Sequence, residues 1–191
     1  MDIRANIPVW LKNSPLPHQL NTYEDFMKVA INLSRENVER GTGGPFGAAV
    51  FDTVTGMAVS LGVNLVESQA CSILHAEVVA IIQAQQALQC YNLNQKGRYL
   101  LASSSEPCAM CIGAIPWSGI SELVYGAHCR DVEAIGFDEG YKPTGWQQAL
   151  NSRGITVFES VLREDARDVL QLYQQNGSVV YNGMVQRQRG L

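Results

Sequence analysis

The stretch from residue 75 to residue 127 sets the tightest limit on the fold. An apolar segment, "HAEVVAIIQAQQAL", is followed by "RYLLAS", then "PCAMCIGAIPW", then "ELVYGA". The two short runs have the length and apolar content of buried strands, and the segments before them have helical length. Strand–helix–strand order calls for parallel strands joined by a right-handed crossover. The chain is therefore expected to be α/β, a sheet with helices packed against it.

The flanking sequence makes the sheet mixed. "PFGAAVFD" and "GMAVSLGVN" read as two strands joined by a turn at Thr55-Gly56, and "GITVFES" reads as the last of five. A helix over 22–40 places Phe26, Met27, Ala30, Ile31 and Val38 near one face, with Thr22 as N-cap and Gly41 as the stop. Residues 1–21 form an arm held extended by Pro8, Pro15 and Pro17. "VLREDARDVLQLYQQ" is an amphipathic helix with Val161, Leu162, Val169, Leu170 and Tyr173 inward and "REDARD" on a solvated face. The 191 residues suit one domain: arm 1–21, catalytic core 22–160, C-terminal helix and tail 161–191.

The formal net charge of −4 excludes the broad basic face that nucleic-acid binding needs, and only Arg187 and Arg189 stand out in the tail. The N-terminus carries charges and prolines where a secretory signal needs an apolar run, and no stretch is apolar enough to span a bilayer. A soluble cytoplasmic protein is expected, with no membrane or nucleic-acid partner. In that compartment its five cysteines serve as thiols or metal ligands.

Cys108 and Cys111 form a C-x-x-C pair, which by itself fits a redox site, a structural zinc knuckle or a catalytic metal site. A thioredoxin-like redox pair belongs on the first helix of a βαβ unit; this pair falls late in the chain, after Pro107. The companion motif decides. His75 and Glu77, in "HAE", start one helix, and the cysteines occupy the first turn of another. If the two N-termini converge, one imidazole and two thiolates hold a zinc ion with a fourth position for water or hydroxide. Glu77 is then placed to take and return protons without being a ligand. A closed structural site would need a fourth protein ligand, for which Cys71 is the rival, with His128 and Cys129 behind it. H-x-E followed by P-C-x-x-C is the signature of zinc-dependent nucleobase deaminases.

With "GGPFGAAVFD", "HAEVVAI" and "SSEPCAMCIGAIPWSGISELVYGA" in this order, the chain resembles the cytidine deaminase superfamily. "DVEAIGFDEG", "RGITV" and the "YNG" of the tail are most similar to bacterial guanine deaminases. The resemblance implies a three-layer α-β-α cytidine deaminase-like fold, a mixed five-stranded sheet with helices on both faces. It implies one zinc per chain on His75, Cys108 and Cys111, with Glu77 as main proton shuttle and Glu139 assisting departure of the amino group. It implies base contacts from Asn64, Phe46, Ala76, Phe137 and Tyr181, and a homodimer in which the segment around Tyr181 and Asn182 can cross to the partner. The implied reaction is hydrolytic deamination of guanine to xanthine and ammonia in purine metabolism. Ammeline, guanosine and cytosine are rival substrates, tRNA adenosine a more distant one. A non-catalytic zinc-binding module is the rival of a different class. Asp131 and Glu133 are expected at the surface or as caps, Trp117 in the core, and Trp146 as a lid or surface aromatic.

Overall fold

The computed structural model describes residues 6–182. The tail arginines Arg187 and Arg189 lie outside the described residues. After a one-turn helix α1 (Val9–Lys12) come α2 (Tyr23–Glu39), β1 (Gly47–Asp52), β2 (Ala58–Val63), α3 (Ala76–Ala87) and β3 (Tyr99–Ser105). Then follow α4 (Ala109–Ser118), β4 (Glu122–Ala127), α5 (Cys129–Glu133), α6 (Trp146–Asn151), β5 (Thr156–Phe158) and α7 (Arg163–Gln175). The five strands form one sheet in the order β2-β1-β3-β4-β5. β1 is antiparallel to both β2 and β3, while β3, β4 and β5 run parallel.

Two apolar layers sandwich the sheet. On one face, Phe26, Met27, Ala30 and Ile31 of α2 and Val169, Leu170 and Tyr173 of α7 pack with Phe51, Leu100 and Val124. On the other, Ala80, Ile81 and Ala84 of α3 and Ile115 of α4 pack with Val50, Leu101 and Leu123. The chain thus has the three-layer mixed α/β architecture. β3 lies at the centre and is buried along its whole length, so both of its faces are apolar or small, as a strand covered on two sides requires.

Local chemistry sets the ends of α2. The Thr22 hydroxyl accepts the Asp25 N–H at 3.1 Å, and Glu24 and Asp25 sit in the positive first turn. At the other end the Gly41 N–H donates to the Val38 carbonyl and the Thr42 N–H to the Asn37 carbonyl, with Gly41 left-handed at φ 63°. This closing pattern needs a residue without a Cβ penalty at that position.

Several sequence expectations are corrected here. The arm is not extended throughout, since α1 interrupts it; Leu11 of α1 is buried and joins the α2 side of the core. The cysteines do not both lie in the first turn of α4: Cys108 is its N-cap, and Pro107 stands one residue outside. Trp117 is 84% exposed rather than core. Helix α4 is apolar nearly all round, and Cys111 and Ile115 turn one face to the interior, which sends Trp117 about 200° away from Ile115. The "REDARD" run is only partly solvated: Arg163 grips the Asp131 carboxylate with two hydrogen bonds, 2.8 and 2.7 Å. Asp131 also accepts the His128 N–H at 2.8 Å and so caps α5. Trp146 is half-buried against the second layer, near Tyr125. Among the described residues no helix is long and apolar enough to cross a membrane.

Candidate metal centre and cavity

Two helix N-termini meet at the mouth of the sheet. His75 is the N-cap of α3, and Cys108 is the N-cap of α4 with Cys111 in its first turn. Each cap is extended backbone that directs its side chain back over the helix start. His75 Nδ1 lies 3.4 Å from Cys108 Sγ and 3.8 Å from Cys111 Sγ, and the three donor atoms all lie within 4.8 Å of one another. A helix N-terminus favours negative charge, so two thiolates are least costly there. The Cys111 thiol donates to Cys108, and with help from His75 this holds Cys108 down at about 4 despite its burial. The same shared hydrogen bond, together with burial, pushes Cys111 up. The pair titrates as a unit that readily yields a thiolate.

One imidazole nitrogen and two thiol sulfurs at this spacing suit tetrahedral zinc. No fourth His, Cys, Asp or Glu joins the group among the described residues. Cys71 packs against the α2-side core instead, and His128 and Cys129 sit at the start of α5. The cluster faces a cavity of about 430 Å³, so the fourth position of a bound zinc would look onto space for water and substrate.

The cavity wall brings together Phe46, Asn64, Glu77, Phe137, Glu139 and Tyr181 with His75 and Cys108. Ala76 does not join them. It is fully buried, and its place is in the apolar layer of Ala48 and Ala80 behind the site. Glu77, in the first turn of α3, is only 5% exposed, and burial pushes its carboxyl above the ordinary range. Asn64 follows the end of β2. Its side-chain oxygen accepts the Val66 N–H at 3.2 Å, which leaves the amide NH₂ as the free donor. Phe46 and Phe137 meet edge to face at 5.2 Å, and Tyr181 stands edge to face on Phe137 at 5.0 Å. The buried Tyr181 hydroxyl has no hydrogen-bond partner among the described residues. Asn182 fastens this segment: it accepts the Asp138 N–H at 2.9 Å and donates to the Gly136 carbonyl at 3.0 Å.

Asn37, Gly43, Gly44, Glu106 and Lys142 also shape the site, though the sequence assigns none of them a role. Asn37, fully buried in α2, donates to the carbonyls of Gly44 and Asn64, both at 2.9 Å, and accepts the Thr42 hydroxyl at 2.6 Å. It ties together the two loops that present Phe46 and Asn64. The glycine pair beside it follows from crowding: a Cβ at Gly43 would strike the Asn64 carbonyl, and one at Gly44 would strike the Tyr181 hydroxyl. Glu106 and Lys142 form the third element of the site. Glu139 lies on the loop between α5 and α6, and its carbonyl accepts the Ala109 N–H at 3.0 Å. Lys142 Nζ stands 3.1 Å from Glu139 Oε2 and 3.1 Å from Glu106 Oε1. The contact to Glu106 is a hydrogen bond, whereas Glu139 Oε2 accepts none among the described residues and meets Lys142 as an ion pair. Burial raises the Glu139 carboxyl to about 7 against the pull of Lys142. Burial disfavours the Lys142 charge, but Glu139 and Glu106 outweigh it and hold the ammonium protonated. The adjacency of Glu106 to Pro107-Cys108 was the one sequence signal for this group.

Comparison with known proteins adds a second line. The sequence profile of the cytidine and deoxycytidylate deaminase zinc-binding region matches residues 20–127. The guanine deaminase of Bacillus subtilis (strain 168) is 34% identical over 142 residues, 74% of this chain and 88% of its own. A crystal structure of guanine deaminase from Nitrosomonas europaea superposes with a TM-score of 0.87 at 39% identity, covering 91% of this chain and 97% of that one. A crystal structure with 8-azaguanine bound gives the same TM-score of 0.87 at 39% identity, covering 91% of this chain and 98% of that one.

Proposed function

This chain belongs to the cytidine and deoxycytidylate deaminase zinc-binding family, and on that premise we propose that it hydrolyses guanine to xanthine and ammonia. One observation carries the reading. The likeness to a guanine deaminase covers 91% of the chain and so runs well past the zinc-binding region, which spans residues 20–127.

Zinc held by His75, Cys108 and Cys111 supplies a Lewis acid that makes water nucleophilic near neutral pH. The remaining work falls to the chain. Phe46 and Phe137 give the flat base an apolar slot, and the Asn64 amide donates to an acceptor on its edge. The Tyr181 hydroxyl, buried without a partner among the described residues, supplies a second polar contact from the tail. Glu77, whose raised pKa suits a group that must hold and release a proton, takes one from the water and delivers it to N3 beside C2. Water oxygen adds to C2 and the ring loses aromaticity there. A proton then passes to the exocyclic nitrogen, the C2–N bond breaks, and ammonia leaves with C2 as a carbonyl. Glu139, raised by burial to about 7 and lining the same cavity, assists that last transfer. Closure by the chain's own tail is supported by the two Asn182 hydrogen bonds. A cytoplasmic homodimer completes the reading, with light scattering of the purified protein as its check.

The test is ammonia release by zinc-loaded protein over guanine, guanosine, ammeline, cytosine, adenine and deoxycytidylate. Guanine should give the highest kcat/KM. No release from guanine, with release from another member of the set, would reassign the substrate.

A further inference from the structure

We propose that Lys142 is a positioning residue for the reaction, a buried cation that locks the Glu139-bearing loop to the segment carrying the zinc ligands. The inference rests on the reading of Glu139 as the second proton carrier.

The geometry supports it from both sides. Lys142 is only 10% exposed in its side chain, and its two carboxylate partners, Glu139 and Glu106, are 8% and 11% exposed. Lysine is seldom buried to this degree without paired anions, and here it has two. The anions come from different parts of the chain. Glu139 shares the α5–α6 loop with Lys142, whereas Glu106 opens the β3–α4 connection two residues before Cys108. Glu106 is itself anchored, since its other oxygen accepts the Cys129 N–H at 3.0 Å. His128 stands 3.7 Å from that oxygen. The ammonium therefore bridges a rigid anchor to the carboxylate that faces the cavity.

Other charges around Glu139 would not hold it in place. Glu77 on α3 and the Cys108 thiolate on α4 both disfavour its negative charge. His75 and the tail hydroxyl of Tyr181 also lie within its field, and Cys129 on α5 senses it. Among these groups Lys142 is the cation in contact. The backbone bond from Ala109 to the Glu139 carbonyl fixes the loop's path but leaves the side chain free to turn. Without Lys142, the Glu139 carboxyl would lose its ion-pair partner and swing toward solvent through the exposed neighbours Asp138, Gly140 and Tyr141. Lys142 does not line the cavity, so substrate binding should be spared.

The experiment compares Lys142→Met, Lys142→Arg and Glu139→Gln, each zinc-loaded, for kcat and KM on guanine and for bound zinc and melting temperature. Misplacing one proton-transfer group should lower kcat about tenfold or more. Lys142→Met is expected to show that loss with KM within about threefold and one zinc per chain, and Lys142→Arg to recover most of it. Lys142→Met leaves Glu106 without its cation and so can lower the melting temperature. The double variant Lys142→Met/Glu106→Gln removes that imbalance, keeps an acceptor for Cys129, and should still show the kcat loss. A wild-type kcat in either Met variant, a loss confined to KM, or an Arg variant no better than Met would overturn the role. If Glu139→Gln keeps full kcat, the reading of Glu139 fails, and the role of Lys142 fails with it. If Glu139→Gln is impaired and Lys142→Met is not, only the bridging role fails.

Discussion

Replacing Asn37 by alanine should destabilise the protein strongly and damage the site without touching it. Asn37 is fully buried and makes three side-chain hydrogen bonds, two of them to the buried backbone carbonyls of Gly44 and Asn64. Alanine leaves the Asn64 carbonyl without its partner, whereas the Gly44 carbonyl still accepts the Phe46 N–H at 2.8 Å. One orphaned buried acceptor costs about 1–3 kcal/mol, with about 2 as the central figure. For a domain of this size, 1 kcal/mol moves the melting temperature by about 2–4 °C, so a fall of roughly 4–8 °C is expected. Calorimetry of the zinc-loaded protein reads this directly. Freed of their tie, the loops bearing Phe46 and Asn64 should bind guanine less well, so KM should rise as well. An Asn37→Ala protein that melts within about 2 °C of wild type would show that these hydrogen bonds do not carry the loops, and the argument would be wrong.

Three other outcomes are expected. Cys111→Ser and His75→Ala should lose zinc, measured by elemental analysis, whereas Cys71→Ser should keep one ion per chain; zinc loss in Cys71→Ser would point to a closed four-ligand site. Gly44→Ala should push the Tyr181 hydroxyl out of the cavity and raise KM, and an unchanged KM would remove Tyr181 from the substrate contacts. Glu139 should also leave a mark on stability. Its carboxyl is raised by burial from 4.5 to about 7, so the native state binds its proton more tightly than the unfolded state does. Wild-type stability should therefore fall, relative to Glu139→Gln, as pH rises from about 4.5 through about 7. A melting-temperature difference that stays constant between pH 5 and pH 8 would contradict that placement.

The sheet and its covering helices were legible because each strand announced itself. "RYLLAS" and "ELVYGA" are too short and too uniformly apolar for surface helices, and the helical segments between them force the crossover. The metal donors His75, Cys108 and Cys111, and Glu77 beside them, were legible for a different reason: they are residue types with few other uses in such a pattern. What stayed hidden was marked out neither by a period nor by the spacing of metal-ligand residues. Asn37 sits in a helix where a polar residue reads as solvated, and only the chain's return at Gly43-Gly44 and Asn64 shows why it is inside. Lys142 and Glu106 are ordinary charges until the α5–α6 loop folds back beside α4. Trp117 was misread because α4 is apolar on nearly every side, so composition could not say which side faces out. Ala76 was misplaced for a related reason: its position beside His75 in sequence says nothing about which way a methyl at the first helical residue points.

The central claim is that Glu77 moves the proton in a zinc site built from His75, Cys108 and Cys111. It is tested most directly by single-turnover conversion of guanine to xanthine, followed by absorbance, in wild type and Glu77→Gln at equal zinc content. The account predicts rapid xanthine formation by wild type and a loss of about 10²–10⁴-fold in the variant, the range for a positioned acid–base group. A Glu77→Gln protein that holds zinc and forms xanthine at the wild-type rate would contradict it.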